Sequence, residues 1–339
     1  MRMRRVSFGT YPYTATRAKV MKSDLLTGTD YLRMRNMGVA EIARTLEEGQ
    51  YREEITRLRG SHRGVELVEQ AAKENLARTA RKLLLVAHRP EVRELLAAYT
   101  MRWVANNLKL VLKARMGVIS AEEALSLIVP IPPTDQGRCQ SLLKEDSSKV
   151  LDRAASLLGV DRRLLGELYE KKRILEMENE MDKRALGALA RLARRMPSSR
   201  DPLKRFLKDL VALTNIRTII RMKARKVEVQ AIRLHLIAPL GAMEAALLGA
   251  GDARAAAGLL KGTRFAVLAE ADPGRLDALS EKFLYRTAFM LLHRHPLGIG
   301  PVFGFLLLKE LEVRNLRLLA HARALGLGKE FLDEELLVG

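Results

Sequence analysis

Residues 315–323 read NLRLLAHAR, an asparagine set into a run of good helix formers. Asparagine is a mediocre helix former, and a buried amide without a partner costs about 1–3 kcal/mol. A residue of this kind inside an apolar face therefore implies a bond to something outside its own helix. Two further stretches repeat the arrangement: NLKLVLKAR at 107–115 and NIRTIIRMK at 215–223. All three read Asn, aliphatic, basic, any residue, aliphatic, with a basic residue in the ninth place. The chain has only seven asparagines, so three in one register are not a product of composition.

The match extends outward. Pro130 and Pro239 follow their asparagines by 23 and 24 residues, and Val338 follows Asn315 by 23. Pro90, Pro197 and Pro296 precede by 17, 18 and 19, and Arg-Thr recurs at 78–79 and 286–287, 29 residues before Asn107 and Asn315. LEEGQY (46–51) echoes LKGTRF (260–265). The spacing predicts three copies of a helical unit, divided at about 1–117, 118–225 and 226–339. A period of this length makes each copy a helical bundle in its own right, unlike the single stacked hairpins of solenoids. The expected body is pseudo-threefold.

Leu, Ala, Arg, Glu and Lys dominate, apolar residues recur at helical spacing, and no β-branched period-two stretch appears, which predicts an all-α protein. Breaks carrying Pro or Gly fall near 28–31, 59–64, 88–92, 129–138, 196–202, 238–241, 270–275 and 293–301. The closing stretch, 296–339, reads as one long helix and a tail, with Pro301 in the helix's first turn. Asn107, Asn215 and Asn315 are expected to be buried and bonded to a neighbouring helix end or loop. The basic residues two and six places on, Lys109 and Lys113, Arg217 and Arg221, Arg317 and His321, form a recurring stripe that is a candidate interface. Glu310 and Arg314, spaced i,i+4, are expected to support the last long helix.

The chain has 339 residues, 48% hydrophobic and 29% charged, with one cysteine and a net charge of +19. One cysteine excludes an internal disulfide and fits a reducing compartment. The longest nearly uninterrupted apolar run, 297–308, is too short to span a bilayer, and the basic start lacks the apolar run of a secretory signal. The charge favours an anionic partner: nucleic acid, a membrane surface or an acidic protein. Aromatic residues are only 5%, which speaks against stacking platforms for single strands, although a basic helical nucleic-acid-binding protein stays open as an alternative. No phosphate-cradling loop, HExxH, GxSxG or aspartate-rich motif occurs, so no catalytic, cofactor or metal residues are assigned. His293 and His295 lack any further ligand set.

Four stretches carry a family resemblance. TATRAKVMKSDLLTGTDYLRMRNMGVAEIARTLEEGQYREEI (14–55), the helices NNLKLVLKAR (106–115) and TNIRTIIRMKAR (214–225), and KELEVRNLRLLAHARALGLGKEFLDEELLV (309–338) resemble the C subunit of archaeal-type ATP synthases, called the d subunit in vacuolar-type ATPases. The resemblance spans the chain and is most specific at its end. It implies a funnel-shaped body of three helical repeats that is not an enzyme and holds no cofactor. Such a body works as a central-stalk adaptor, receiving the shaft subunits of the catalytic head and standing on the membrane rotor ring, in a complex that couples ATP synthesis or hydrolysis to proton or other ion transport. The implied location is peripheral, on the cytoplasmic face of the membrane, with membrane contact possible and no nucleic-acid partner.

Overall fold

The computed structural model describes residues 11–196, 201–237, 241–270 and 272–338, and it is all-α, with no strand among them. Pro197 and Pro239, two of the repeat's prolines, lie outside the described residues. Short helices open the chain: α1 (Pro12–Lys22), α2 (Gly28–Met34), α3 (Val39–Glu47) and α4 (Arg52–Leu58), followed by the long α5 (Gly64–Val86). Next come α6 (Pro90–Arg115), α7 (Ala121–Leu127), α8 (Gln136–Lys144), α9 (Ser147–Leu158), α10 (Arg162–Glu170) and the long α11 (Ile174–Arg195). Then follow α12 (Pro202–Ala224), α13 (Val229–Leu234), α14 (Ala242–Gly249), α15 (Ala253–Gly258), α16 (Leu276–Arg294), α17 (Gly300–Ala324) and α18 (Lys329–Glu335). The stretch after 324 thus carries a further short helix where the sequence suggested only a tail.

By packing, the described chain falls into two compact units. Of the described residues, one unit gathers those within 11–89, 129–131 and 285–338, and the other those within 90–128 and 132–284. This division cuts the chain differently from the three units that the sequence spacing predicts. In the first unit α17 lies against α5, α1 and α3. Its core joins Ile42, Leu46, Tyr51 and Ile55 from the start of the chain to Leu316, Leu319 and Leu332 from its end. In the second, α6 packs on α11 and α7, and α12 on α11 and α15. Ile216, Ile219 and Ile220 there meet Leu247, Leu260 and Phe265.

Three long helices end alike. Beyond α6, α12 and α17 a residue turns left-handed: Gly117 (φ 74°), Lys226 (φ 57°) and Gly326 (φ 67°). The next amide then donates back into the last turn: Val118 to Lys113 O at 3.0 Å, Val227 to Met222 O at 3.0 Å, and Leu327 to Ala322 O at 2.9 Å. This is a Schellman termination, which satisfies carbonyls the helix leaves open. Glycine enters this conformation without penalty, whereas Lys226 pays for its Cβ. A short helix follows each turn: α7, α13 and α18.

At the start of α17, Pro301 occupies the first turn, where a missing N–H costs nothing. A Cβ at Gly304 would stand 2.7 Å from Ala288 O, and one at Gly300 would stand 2.9 Å from Leu291 O. Glycine at these two places lets α17 close on the second half of α16. The glycine-rich GIGPVFG is therefore a helix-packing device.

Candidate functional site

The side chains singled out by the repeat fall into three tiers along the long helices. The first is the asparagine itself. Asn107 and Asn215 are fully buried and Asn315 is 1% exposed. Asn107 Nδ2 donates to the carbonyl and hydroxyl oxygens of Thr134, both at 3.0 Å. Asn215 Oδ1 accepts from Ile237 N at 2.8 Å. Asn315 Nδ2 donates to Leu337 O at 2.8 Å, and its Oδ1 accepts from Leu337 N at 3.1 Å. In each case the amide holds the segment just beyond the short helix, fastening the turn back onto its long helix. Backbone N–H and C=O groups turned away from water need such bonds.

The second tier is the basic residue in the ninth place. Arg115 Nη1 donates to Leu143 O (3.1 Å), Lys223 Nζ to Ala250 O (2.6 Å) and Arg323 Nε to Met37 O (3.0 Å). Leu143 and Ala250 close α8 and α14, and Met37 lies just past α2. Each cation thus supplies a donor to carbonyls at or just past a helix C-terminus, where the helix dipole favours positive charge.

The third tier is the basic stripe. Lys109 Nζ bonds Asp182 at 2.9 and 3.0 Å, and Lys113 Nζ lies 3.3 Å from Glu178, both carboxylates on α11. Arg217 and Arg221 share Asp277 on α16, Arg221 at 2.6 Å. Arg317 and His321 face Glu69 on α5, at 3.9 and 3.0 Å. The stripe is thus laid along companion helices, and its cations are partly neutralised there. Exposure rises from 15% at the Lys109 side chain to 60% at Arg317. Arg314 reaches the backbone carbonyl of Glu335 and lies 3.4 Å from its carboxylate, while also bonding Asn315 Oδ1 at 3.2 Å. It ties α18 to α17 beside the clasp. Glu310, four residues earlier, is half-buried.

Sequence reasoning missed a buried polar knot next to these tiers. Lys309 is fully buried, and its Nζ donates to Glu312 Oε1 (2.6 Å), Tyr51 OH (3.0 Å) and Gln50 Oε1 (3.1 Å). Glu312 also accepts from Leu26 N at 2.6 Å and from Tyr51 OH at 2.5 Å. Beside it, buried Glu54 accepts from Asn75 (3.1 Å) and from Arg78 (2.6 and 3.0 Å). Burial pulls the Lys309 ammonium below its ordinary range, against the opposing pull of Glu312. Burial and Glu312 both push the Tyr51 phenol well up, so it stays protonated and donates. The available signal was a Lys and a Glu at i,i+3 just after the apolar run that opens α17. A second knot has the same place with opposite sign: buried Asp209, on α12, faces Arg264 at 2.5 Å.

Glu312 of the first knot also lines a cavity of about 250 Å³ with Tyr31, Asn315 and Tyr285, and among the described residues no group of three or more His, Cys, Asp or Glu could hold a metal ion. Among the same residues no helix is long and apolar enough to cross a membrane.

The sequence as a whole matches the model of the ATP synthase (C/AC39) subunit over residues 14–335. Among curated proteins it is similar to the C subunit of the A-type ATP synthase of Methanococcoides burtonii, at 27% identity over 98% of this chain and 95% of that protein. It is likewise similar to the C subunit of the A-type ATP synthase of Methanosarcina acetivorans, at 27% identity over 97% of this chain and 93% of that protein. The protein of that name from Archaeoglobus fulgidus is 26% identical over 97% of this chain and 96% of its own length. The clasp asparagines, the ninth-place cations and the terminal Leu-Leu-Val all lie within or beside the matched span, and the chain belongs to the ATP synthase (C/AC39) subunit family.

Proposed function

We propose that this chain is a non-catalytic central-stalk adaptor of an A/V-type ATP synthase or ATPase. It links the shaft subunits of the catalytic head to the membrane rotor ring, on the cytoplasmic face of the membrane. The observation that carries this reading is the family match across almost the whole chain. The geometry supports it through stiffness. A torque-bearing coupling needs helices that cannot swing at their ends, and here three long helices are each fastened by a Schellman turn, an asparagine clasp and a cation set on another helix's end. Close-packed interiors held this way yield little under load.

In this proposal the clasp helices belong to three equivalent repeats, about 1–117, 118–225 and 226–339, arranged as a funnel. Asn107, Asn215 and Asn315 hold the repeats' equivalent corners, and the more exposed end of the stripe, at Arg317, meets a partner of opposite charge. Reversing Arg317 would then slow assembly more than it destabilises the fold.

The adaptor reading is tested by reconstituting the complete complex in vesicles with and without this chain, then measuring ATP hydrolysis and ion transport together. Hydrolysis that persists while transport disappears is the expected result. Transport that stays tightly coupled to hydrolysis without the chain overturns it.

A further inference from the structure

At one corner of the unit that holds α1, α5 and α17, three separate segments meet. Tyr11 N donates to Leu297 O at 2.6 Å, and Thr14 Oγ1 to Val86 O at 3.3 Å. The Tyr13 ring lies 5.2 Å from the His88 ring. The start of α1, the end of α5 and the α16–α17 junction are thereby drawn together.

Each segment presents an apolar side chain to the outside. Tyr13 is 54% exposed, Leu85 72% and Leu297 51%. Exposed basic residues stand next to them: Lys82, Arg89 and Arg294. No carboxylate occurs in the segments themselves, since residues 11–22, 77–89 and 285–308 contain no Asp or Glu. In a chain with 40 acidic residues this is a pronounced local bias. The stripe described above differs, because its cations already face Asp182, Asp277 and Glu69.

We propose that this corner is a contact site for an anionic phospholipid surface. The basic residues supply attraction to the headgroups, and the three protruding side chains enter the boundary between headgroups and acyl chains. A tyrosine suits that depth, with an apolar ring and a polar tip. A fluid surface also fits better than an acidic protein, because the apolar groups protrude singly from three segments, and a bilayer needs no matching pocket to receive them. The proposal stands apart from the adaptor reading, since it concerns the chain alone. If both hold, this corner faces the membrane.

The test is partitioning of the full chain onto phosphatidylcholine vesicles, with and without one-third phosphatidylglycerol, at low salt. Binding only to the anionic vesicles is expected. A basic residue near such a surface is worth about fivefold in partitioning, so Arg89→Glu/Arg294→Glu should weaken binding by roughly 25-fold or more. Leu85→Ser/Leu297→Ser should weaken it while leaving the salt dependence unchanged. Lys149→Glu/Arg194→Glu, the same change in net charge at exposed places in the other unit, should leave binding within about twofold. Amide exchange on bound and free protein provides a second readout, with protection expected at residues 82–89 and 294–298. Equal binding to neutral vesicles, no binding at all, equal loss in the control variant, or protection elsewhere would each overturn the proposal.

Discussion

Six residues before its clasp asparagine, α17 buries a lysine and α12 buries an aspartate. Lys309 and Asp209 thus share a register, and the stretches that meet them share one too, Gln50-Tyr51 in LEEGQY and Arg264-Phe265 in LKGTRF. Where the helix carries a cation, the facing pair is an amide and a phenol, and Glu312 on the same helix supplies the anion at 2.6 Å. Where the helix carries an anion, the facing pair supplies the cation, and a phenylalanine replaces the tyrosine. Arg264 then lies 5.0 Å over the Phe265 ring, as Lys309 Nζ lies 4.4 Å over that of Tyr51. At the same register α6 has Met101 and no charge at all. The place demands volume and local compensation, and the sign of the charge is free.

The two solutions differ in completeness. Lys309 is fully buried with three acceptors, so its knot is closed. The Arg264 side chain is 39% exposed, and burial pushes the Asp209 carboxyl up to about 6 even though Arg264, Arg205 and Lys208 pull it down. The comparison breaks first at Glu312. Glu312→Leu leaves a buried ammonium without its anion and should cost about 3–5 kcal/mol in denaturant unfolding. Lys309→Met/Glu312→Leu should recover most of that loss, because an apolar pair of similar volume often replaces a buried ion pair without penalty. A double variant as unstable as the single would mean that the knot has no such apolar substitute.

On α12 the effect is one of pH. The Asp209 carboxyl is raised in the folded state, so its contribution to stability is full below about pH 4 and is lost as pH rises through about 6. The shift from 3.8 is about two units, equivalent to about 3 kcal/mol at most. Asp209→Asn should remove that decline. Stability curves for the two proteins that run parallel between pH 4 and 7 would show that burial does not perturb this group.

Lower on the same helices the clasps are next. Asn315→Ala strips the partner from both polar groups of Leu337 and should cost roughly 1–3 kcal/mol, with faster amide exchange at Leu337 itself. An unchanged exchange rate would mean that water replaces the clasp. The smallest difference lies at the turns. Gly326 takes its left-handed conformation freely, whereas Lys226 does not, so Lys226→Gly should stabilise by up to about 1 kcal/mol, measured by thermal unfolding. A loss on that substitution would mean that the lysine side chain makes a contact worth more than the strain.

Much of the framework was legible in advance, because helix-forming residues at helical spacing and a tripled Asn register are local patterns. The ninth-place cation was visible as a letter, but not as a donor to another helix's end, since spacing says nothing about what lies opposite. The stripe was legible in the same limited way. Its carboxylates at Asp182, Asp277 and Glu69 lie far away in sequence and follow no common offset from the asparagine. Lys309 and Glu312 were lost in the apolar run, where a charged letter reads as a surface position until packing encloses it. Asp209 was lost for the same reason. The aligned LEEGQY and LKGTRF stretches held the clue, in the exchange of Gln-Tyr for Arg-Phe.

Arg323, at the end of the chain, holds the carbonyl of Met37 near its beginning, and α17 completes the core that α3 and α4 begin. The consequence appears during synthesis. At roughly 5–20 residues per second, the ribosome needs roughly 10–40 s to pass from residue 90 to residue 284. For that interval Ile42, Leu46, Tyr51 and Ile55 have no α17 to cover them, and Glu54 and Arg78 wait beside an unfinished knot. The intervening unit can fold and dock its own long helices meanwhile. The nascent chain therefore carries its first helices as an open apolar face until its last ones emerge. A chain released before residue 300 would expose that face indefinitely, and a truncated product of this kind should be a substrate for chaperones and proteases.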